Sequence, residues 1–432
     1  MQAEMALPLA ARILLASLLA ALTLSAPAFA VRCGDDRCHS FTSASGADGA
    51  ITSGPDGAVW FAGQGFVGRL TPAGDVKKFP APTTSISDVE AGPDGGIWFT
   101  GAGLVGRKDT SGNITLQRSV SGTPGPIAPA GDGAMWFATS AGFLSRVVSS
   151  GDVLRLASPG RGSAGPAAQA AGAPGTMAEG PDGALWFVHS DPAGIGRIDP
   201  EGHVTEYGLP SSFGSELAGI TAGPDGGLWF TAPKARMVGR ISPTTGHVTA
   251  FHTSWNPYAI TAGPSHAVWF AMTDSGRWTI TRLVPAGYMA FFQVSGPVKG
   301  LAAGPDDGIY MAKGGSVERL EPFIGAYPIR KRKLKVNPFA GSISMRLYCP
   351  WYDLVSCTGK IVVRWHDQVV ASTPFSQRVN DAPATRLLLN GLGRRVTRRS
   401  ARVPVTATIT QHDQGGTTRV SRHNFTLVRK KG

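Results

Sequence analysis

Ile220-Thr221-Ala222-Gly223-Pro224-Asp225-Gly226-Gly227-Leu228-Trp229-Phe230-Thr231, continuing to Met237-Val238-Gly239-Arg240-Ile241, decides the fold. Two short strand-like runs flank a tight turn. Pro presets φ at its second position, Asp caps it and Gly tolerates its closing geometry. The turn recurs as Gly54-Pro55-Asp56-Gly57, Gly92-Pro93-Asp94-Gly95, Ala130-Gly131-Asp132-Gly133, Gly180-Pro181-Asp182-Gly183, Gly263-Pro264-Ser265-His266 and Gly304-Pro305-Asp306-Asp307. Successive copies lie 38, 38, 50, 43, 40 and 41 residues apart. A period near 40 with strand content predicts a β-propeller, one four-stranded blade per copy and seven blades around a channel. Function in such a ring is expected at the channel mouth.

Two further regularities accompany the turn. An aromatic pair follows it as Trp60-Phe61, Trp98-Phe99, Trp136-Phe137, Trp186-Phe187, Trp229-Phe230, Trp269-Phe270 and, weakened, Tyr310-Met311. Adjacent strand residues face opposite ways, so one ring can pack on each neighbouring blade. An arginine then recurs on the third strand, at Arg69, Arg107, Arg146, Arg197, Arg240, Arg282 and Arg319. A charge repeated in every blade reads as scaffold, with the turn Asp or a carbonyl of the adjoining blade as its partner. Cys38-His39-Ser40-Phe41-Thr42 resembles a fourth strand placed before the first turn. It predicts that the N-terminal strand completes the last blade and hides the free edges.

The 432 residues, with 57 Gly and 32 Pro, are enough for two all-β domains. Residues 1–30 read as a signal peptide: an apolar, small-residue stretch ends in Ala28-Phe29-Ala30, an A-x-A cleavage pattern. No other stretch is long enough to span a bilayer. The chain is therefore expected to be secreted, extracellular or associated with the cell wall. Cys33 with Cys38, and Cys349 with Cys357, are expected as local disulfides in such a compartment. Neither pair has zinc-ligand spacing.

Charge divides the chain. Residues 327–432 hold 20 Lys+Arg and 4 Asp+Glu, whereas the remainder holds 21 basic and 25 acidic residues. The expected organisation is a propeller over 31–326, a basic linker over 327–337 around Arg330-Lys331-Arg332-Lys333, and a basic β-sandwich over 338–432. Alternation at Ile343, Met345 and Leu347, at Ile361, Val363 and Trp365, and at Val403, Val405, Ala407 and Ile409 predicts six or seven strands in an immunoglobulin-like arrangement. Arg394-Arg395 and Arg398-Arg399 belong either to a solvated basic face or to a site for a polyanion, an anionic cell-surface polymer such as a wall polymer or acidic lipid headgroups. Export argues against nucleic acid as the partner, and the protein is expected to be a monomer.

The repeat around Gly223-Pro224-Asp225-Gly226, with Trp229-Phe230 and Val238-Gly239-Arg240-Ile241, resembles the streptogramin B lyase (virginiamycin B lyase) family. The resemblance covers the ring, about residues 38–325, and not the tail. It implies a Mg²⁺-dependent elimination that opens a cyclic depsipeptide at its ester. That chemistry needs a base for an acidic α-proton and a cation for the developing enolate. The family's base is a His two residues before the Ile of a blade's first strand, within Glu-Pro-His. Its partner is an acid just after the Trp-Phe strand.

In this chain the His position holds Gly49, Ser87, Gly125, Gly175, Ala218, Tyr258 and Lys299. The acid position holds Gly63, Gly101, Thr139, His189, Ala232, Met272 and Lys313. The last blade thus carries Lys299 and Lys313, and two ammonium groups have no lone pair for Mg²⁺. No cofactor is expected, with Mg²⁺ only if the family reaction is retained. Replacement catalytic candidates are Lys299 and Lys313, each depressing the other's pKa, with Tyr258 at the mouth and His189 paired with Glu216. A second opening is the long insertion from Ser158 to Gly175, which reads either as a lid or as a tolerated surface loop. The expected function is recognition of a small or polymeric ligand at the channel mouth, and the rival is a lyase.

Overall fold

The computed structural model describes residues 31–32, 38–140, 144–155, 177–190, 193–287, 289–321, 327–328, 333–337, 340–348, 356–378, 384–412 and 418–429. The proposed signal peptide, the Ser158–Gly175 insertion and Arg330-Lys331-Arg332 lie outside these residues, as do Cys33, Cys349 and the side chain of Cys357.

Seven antiparallel sheets follow the seven turns. Each runs from an inner strand at the channel to an outer fourth strand. In blade five these are Ile220–Ala222, Leu228–Ala232, Met237–Ile241 and Val248–His252. The inner strand of blade seven packs on that of blade one, which closes the circle. Cys38–Phe41 pairs antiparallel with Ser316–Leu320 in the register Cys38↔Leu320 to Phe41↔Val317, so the N-terminal strand completes blade seven as the sequence implies. A second closure was not legible: Val31–Arg32 adds a parallel fifth strand outside Met289–Val294 of blade six.

A turn aspartate is the fastener of six of the seven blades. Asp56 Oδ1 accepts the Trp60 indole N–H at 3.0 Å and Oδ2 accepts Arg69 Nε at 2.5 Å. The same three-way contact joins Asp94 to Trp98 and Arg107, Asp132 to Trp136 and Arg146, Asp182 to Trp186 and Arg197, and Asp225 to Trp229 and Arg240. In blade seven Tyr310 Oη replaces the indole on Asp306, and Arg319 Nε lies 2.7 Å away. Blade six has Ser265 at this position, and backbone carbonyls take over. Pro264 O accepts Trp269 Nε1 and Ser265 O accepts Arg282 Nη2.

Register explains the pairing. Trp229 lies opposite Arg240 on one sheet face, and Phe230 lies opposite Gly239 on the other. A Cβ at Gly239 would sit 2.1 Å from Phe230 Cζ, so the Val-Gly-Arg glycine exists to let the ring lie flat on the strand. The indole is covered in turn by a fourth-strand aromatic: Trp229 stacks on Phe251, Trp60 on Phe79 and Trp186 on Tyr207.

The tail builds a separate core from Leu334, Val336, Ile343, Leu347, Ile361, Val363, Leu387, Val405, Ile409 and Leu427. Its strands are ordered Tyr327–Pro328, Ser342–Tyr348, Lys333–Asn337, Thr418–Arg429, Arg402–His412, Ser356–Trp365 and Gln368–Arg378, with Ala384–Leu388 on Ser342–Tyr348. A bridge from Leu389 to Ala371 brings the two ends together, so the sheet nearly closes. One expectation is corrected. Lys333–Asn337, placed in the linker, is a tail strand whose Leu334 and Val336 alternate into the core. The arginine-rich segment, to which the sequence pattern assigns no element, is a helix, Gly391–Arg399. Asn390 caps it by accepting Gly393 N–H, and Leu392 and Val396, four residues apart, pack on the core.

The fastener predicts a graded stability response. Asp225→Ala strands the Trp229 indole N–H and the Arg240 guanidinium, and is expected to cost about 2–3 kcal/mol. Ser265→Ala, which removes no fastener, should leave the melting temperature within about a degree of the parent. Thermal unfolding followed by circular dichroism checks both; equal effects would refute the assignment.

Candidate functional site

The seven inner strands enclose a channel cavity of ≈ 380 Å³. Its wall is mostly small and β-branched: Gly49, Thr52, Ala128, Ala178, Gly219, Thr221, Ala259, Thr261 and Ala302. Three carboxylates interrupt that wall. Asp88 and Glu90 stand on one inner strand, Asp88–Ala91, two residues apart and so on the same side. Glu179 ends the inner strand of blade four.

Their environments differ. Asp88 is buried, with Oδ2 accepting the Ile127 N–H at 2.9 Å and Oδ1 the Val89 N–H at 2.8 Å. Burial still dominates those bonds and pushes the carboxyl up to about 7. Glu90 accepts Thr52 Oγ1 at 2.8 Å. Burial, and then the charge of Asp88, push it up to about 8. Glu90 keeps some surface open to the channel, so solvent there moderates its desolvation. Burial, with a contribution from Asp132, also raises Glu179. None of the three figured among the sequence candidates. The signal was present: at the place of Glu90 the other blades carry only Thr or Ala.

The residues singled out from sequence are found in other company. Lys299, at the channel wall, is bound to Asp48 Oδ1 at 2.7 Å, and both side chains are about half exposed. Lys313 is 8 % exposed and lies 2.9 Å from Glu318 Oε1 and 3.0 Å from Ser295 Oγ. Each ammonium thus meets a carboxylate of its own. Glu318 occupies the place of the Gly in Val-Gly-Arg, and its partner ring is replaced by Met311. His189 is buried and pairs with Glu206 at 2.8 Å, not with Glu216. Glu206 is nearer because it lies on the fourth strand of the same blade, while Glu216 reaches Lys234 at 2.7 Å. Tyr258 is tilted against Trp278, and its carbonyl accepts Thr231 Oγ1.

The pair of lysines at blade seven does not fit the family's Mg²⁺. Their Nζ atoms are donors only and are already held by Asp48, Glu318 and Ser295.

The virginiamycin B lyase family model matches residues 30–211 and 147–342. A streptogramin B lyase structure is 26% identical, with a TM-score of 0.57, covering 66% of this chain and 97% of that one. Virginiamycin B lyase from Staphylococcus aureus is 24% identical, with a TM-score of 0.56, covering 66% and 98%. The extracellular domain of a putative hybrid two component system from B. thetaiotaomicron, 10% identical with a TM-score of 0.53, shares the fold over 91% of this chain and 58% of its own. No protein of curated function matches. With its seven blades and a family-model match over most of its length, the chain belongs to the virginiamycin B lyase family.

Proposed function

We propose that the ring is an exported ligand-binding module that keeps the family scaffold without the family's elimination chemistry. The tail, taken as an immunoglobulin-like sandwich, holds it near an anionic surface. The observation that carries this is the state of blade seven: where the family places its base and acid, Lys299 is tied to Asp48 and Lys313 is buried against Glu318. The channel above them suits a small ligand, or the end of a polymer, that offers hydrogen bonds or a positive charge to Asp88, Glu90 and Glu179.

A lyase reading has one specific support. Asp88 and Glu90 hold their protons into the neutral range, where a carboxyl can both give and take one. Incubation of the mature protein with a type B streptogramin and Mg²⁺ separates the two. Elimination leaves the mass unchanged, so retention time and fragmentation are followed. The depsipeptide ring is expected to stay intact. A linear product that disappears with chelator, and with Asp88→Asn or Glu90→Gln, would overturn the binding reading and assign the base.

Lys313 is expected to be structural. Lys313→Ala leaves Glu318, which is mostly covered, without its partner and should cost about 2 kcal/mol. The paired replacement Lys313→Thr with Glu318→Gly, which restores residues used in other blades, should recover most of that in thermal unfolding.

Asp88 and Glu90 give a pH signature. Both stay protonated in the fold and ionise near pH 4 in the unfolded chain, so unfolding releases protons between about pH 4 and 8. Their contribution to stability is present below that window and lost as pH rises through it. Glu90→Gln should therefore raise the melting temperature by several degrees at pH 8.5 and leave it nearly unchanged at pH 5. Equal shifts at both values would show that Glu90 is not held protonated.

A further inference from the structure

The outer face of the helix Gly391–Arg399 is the most concentrated charge among the described residues. Arg394, Arg395, Arg398 and Arg399 are all exposed, while Leu392, Gly393, Val396 and Thr397 turn inward. Residues three and four apart share a helix face, so the four guanidinium groups form one patch. Among the described residues no Lys or Arg of the tail has an ion pair. Asp367, on the turn of the neighbouring hairpin, is the single acid of the described tail residues. Self-repulsion of this kind is relieved by an external anion. Arg394 is braced for such a role, since its Nε donates to Leu389 O at 3.0 Å.

A second observation lies beside the patch. Leu388 is 57 % exposed and Val369 is 39 % exposed, among the few large apolar side chains left open to solvent. Both border the helix cap: Asn390 donates to the carbonyl of Val369 through Nδ2 and to that of Val370 through its backbone N–H. Apolar side chains next to a guanidinium cluster add nothing for a soluble sugar-phosphate polymer. At a bilayer they enter the boundary between headgroups and acyl chains while the charges meet phosphate.

We propose that the exposed face of the helix Gly391–Arg399, with Leu388 and Val369 beside its cap, is a docking surface for a bilayer containing anionic lipid. This rests on the reading of the tail as an anionic-surface module and names its partner.

The test uses the whole mature chain in co-sedimentation with vesicles of phosphatidylcholine, alone or with one third phosphatidylglycerol. Binding is expected only with phosphatidylglycerol and should weaken as salt rises. Replacing the four helix arginines by Gln should lower partitioning more than about tenfold, whereas replacing them by Lys should largely preserve it, because a lipid surface reads charge more than fork geometry. Leu388→Ser with Val369→Ser should weaken binding several-fold and decides the matter if the Gln variant fails to fold by circular dichroism. No binding to anionic vesicles, or binding indifferent to both sets of changes, overturns the proposal. Tight binding of soluble polyphosphate without vesicle binding overturns the lipid assignment but leaves the anionic-surface reading standing. Preference for duplex DNA over vesicles overturns both.

Discussion

The carboxylate of the turn aspartate holds this ring together. It takes an indole N–H on one oxygen and a guanidinium N–H on the other, so a single side chain ties the turn to the second and third strands of its blade. Burial alone would raise such a carboxyl. In Asp56, Asp94, Asp182 and Asp225 the hydrogen bonds and the guanidinium charge together outweigh burial and hold the group below the ordinary range. A fastened carboxylate is worth more than an exposed ion pair because its indole donor is buried with no water to return to, while its guanidinium partner is only partly exposed. Each blade contacts chiefly its neighbours, so the ring's stability accumulates blade by blade.

The fastener sits at the turn and leaves the other end of each blade unspecified. That freedom is used differently around the ring. Blades four and seven fill the position after the aromatic pair with His189 and Lys313, and each finds an acid within its own blade, Glu206 and Glu318. In blade seven the change is concerted. Phe gives way to Met311 and Gly to Glu318, which opens the space the buried pair occupies. Such replacements are self-contained and ask nothing of a ligand.

Repetition governs what the sequence discloses. Seven turns, seven aromatic positions and seven arginines carry enough redundancy to give the blade count, the Asp–Arg partnership and the strand-shared closure. The helix Gly391–Arg399 had no such redundancy. Its two glycines and four arginines mask a helical stripe of only Leu392 and Val396, and the cap at Asn390 is a single residue. Lys333–Asn337 alternated plainly but was hidden by the basic run before it. Pairing at the mouth failed for a different reason. Which acid reaches His189 depends on strand register, and Glu206 and Glu216 differ by one loop that spacing alone does not resolve. Asp88 and Glu90 are marked only by a departure from the inner-strand pattern and lie at none of the positions the family resemblance singles out.

Those departures bear on function through their cost. Thr52, Thr221 and Thr261, or Ala128, Ala178 and Ala302, serve the same place in the wall that Glu90 occupies. They carry no charge to desolvate. Burial raises the cost of charging both Asp88 and Glu90, and the charge of Asp88 adds to that of Glu90, so above neutral pH the ring must either hold two protons or accommodate two charges in a narrow pore. A wall built only for packing would not concentrate that cost on one strand. Titratable groups gathered in a cavity, held by Thr52 and the Ile127 and Val89 amides, are the feature of the wall on which the proposed binding role rests. On the proposed binding reading, the channel's chemistry therefore points to blade two rather than to Lys299 and Lys313 in blade seven.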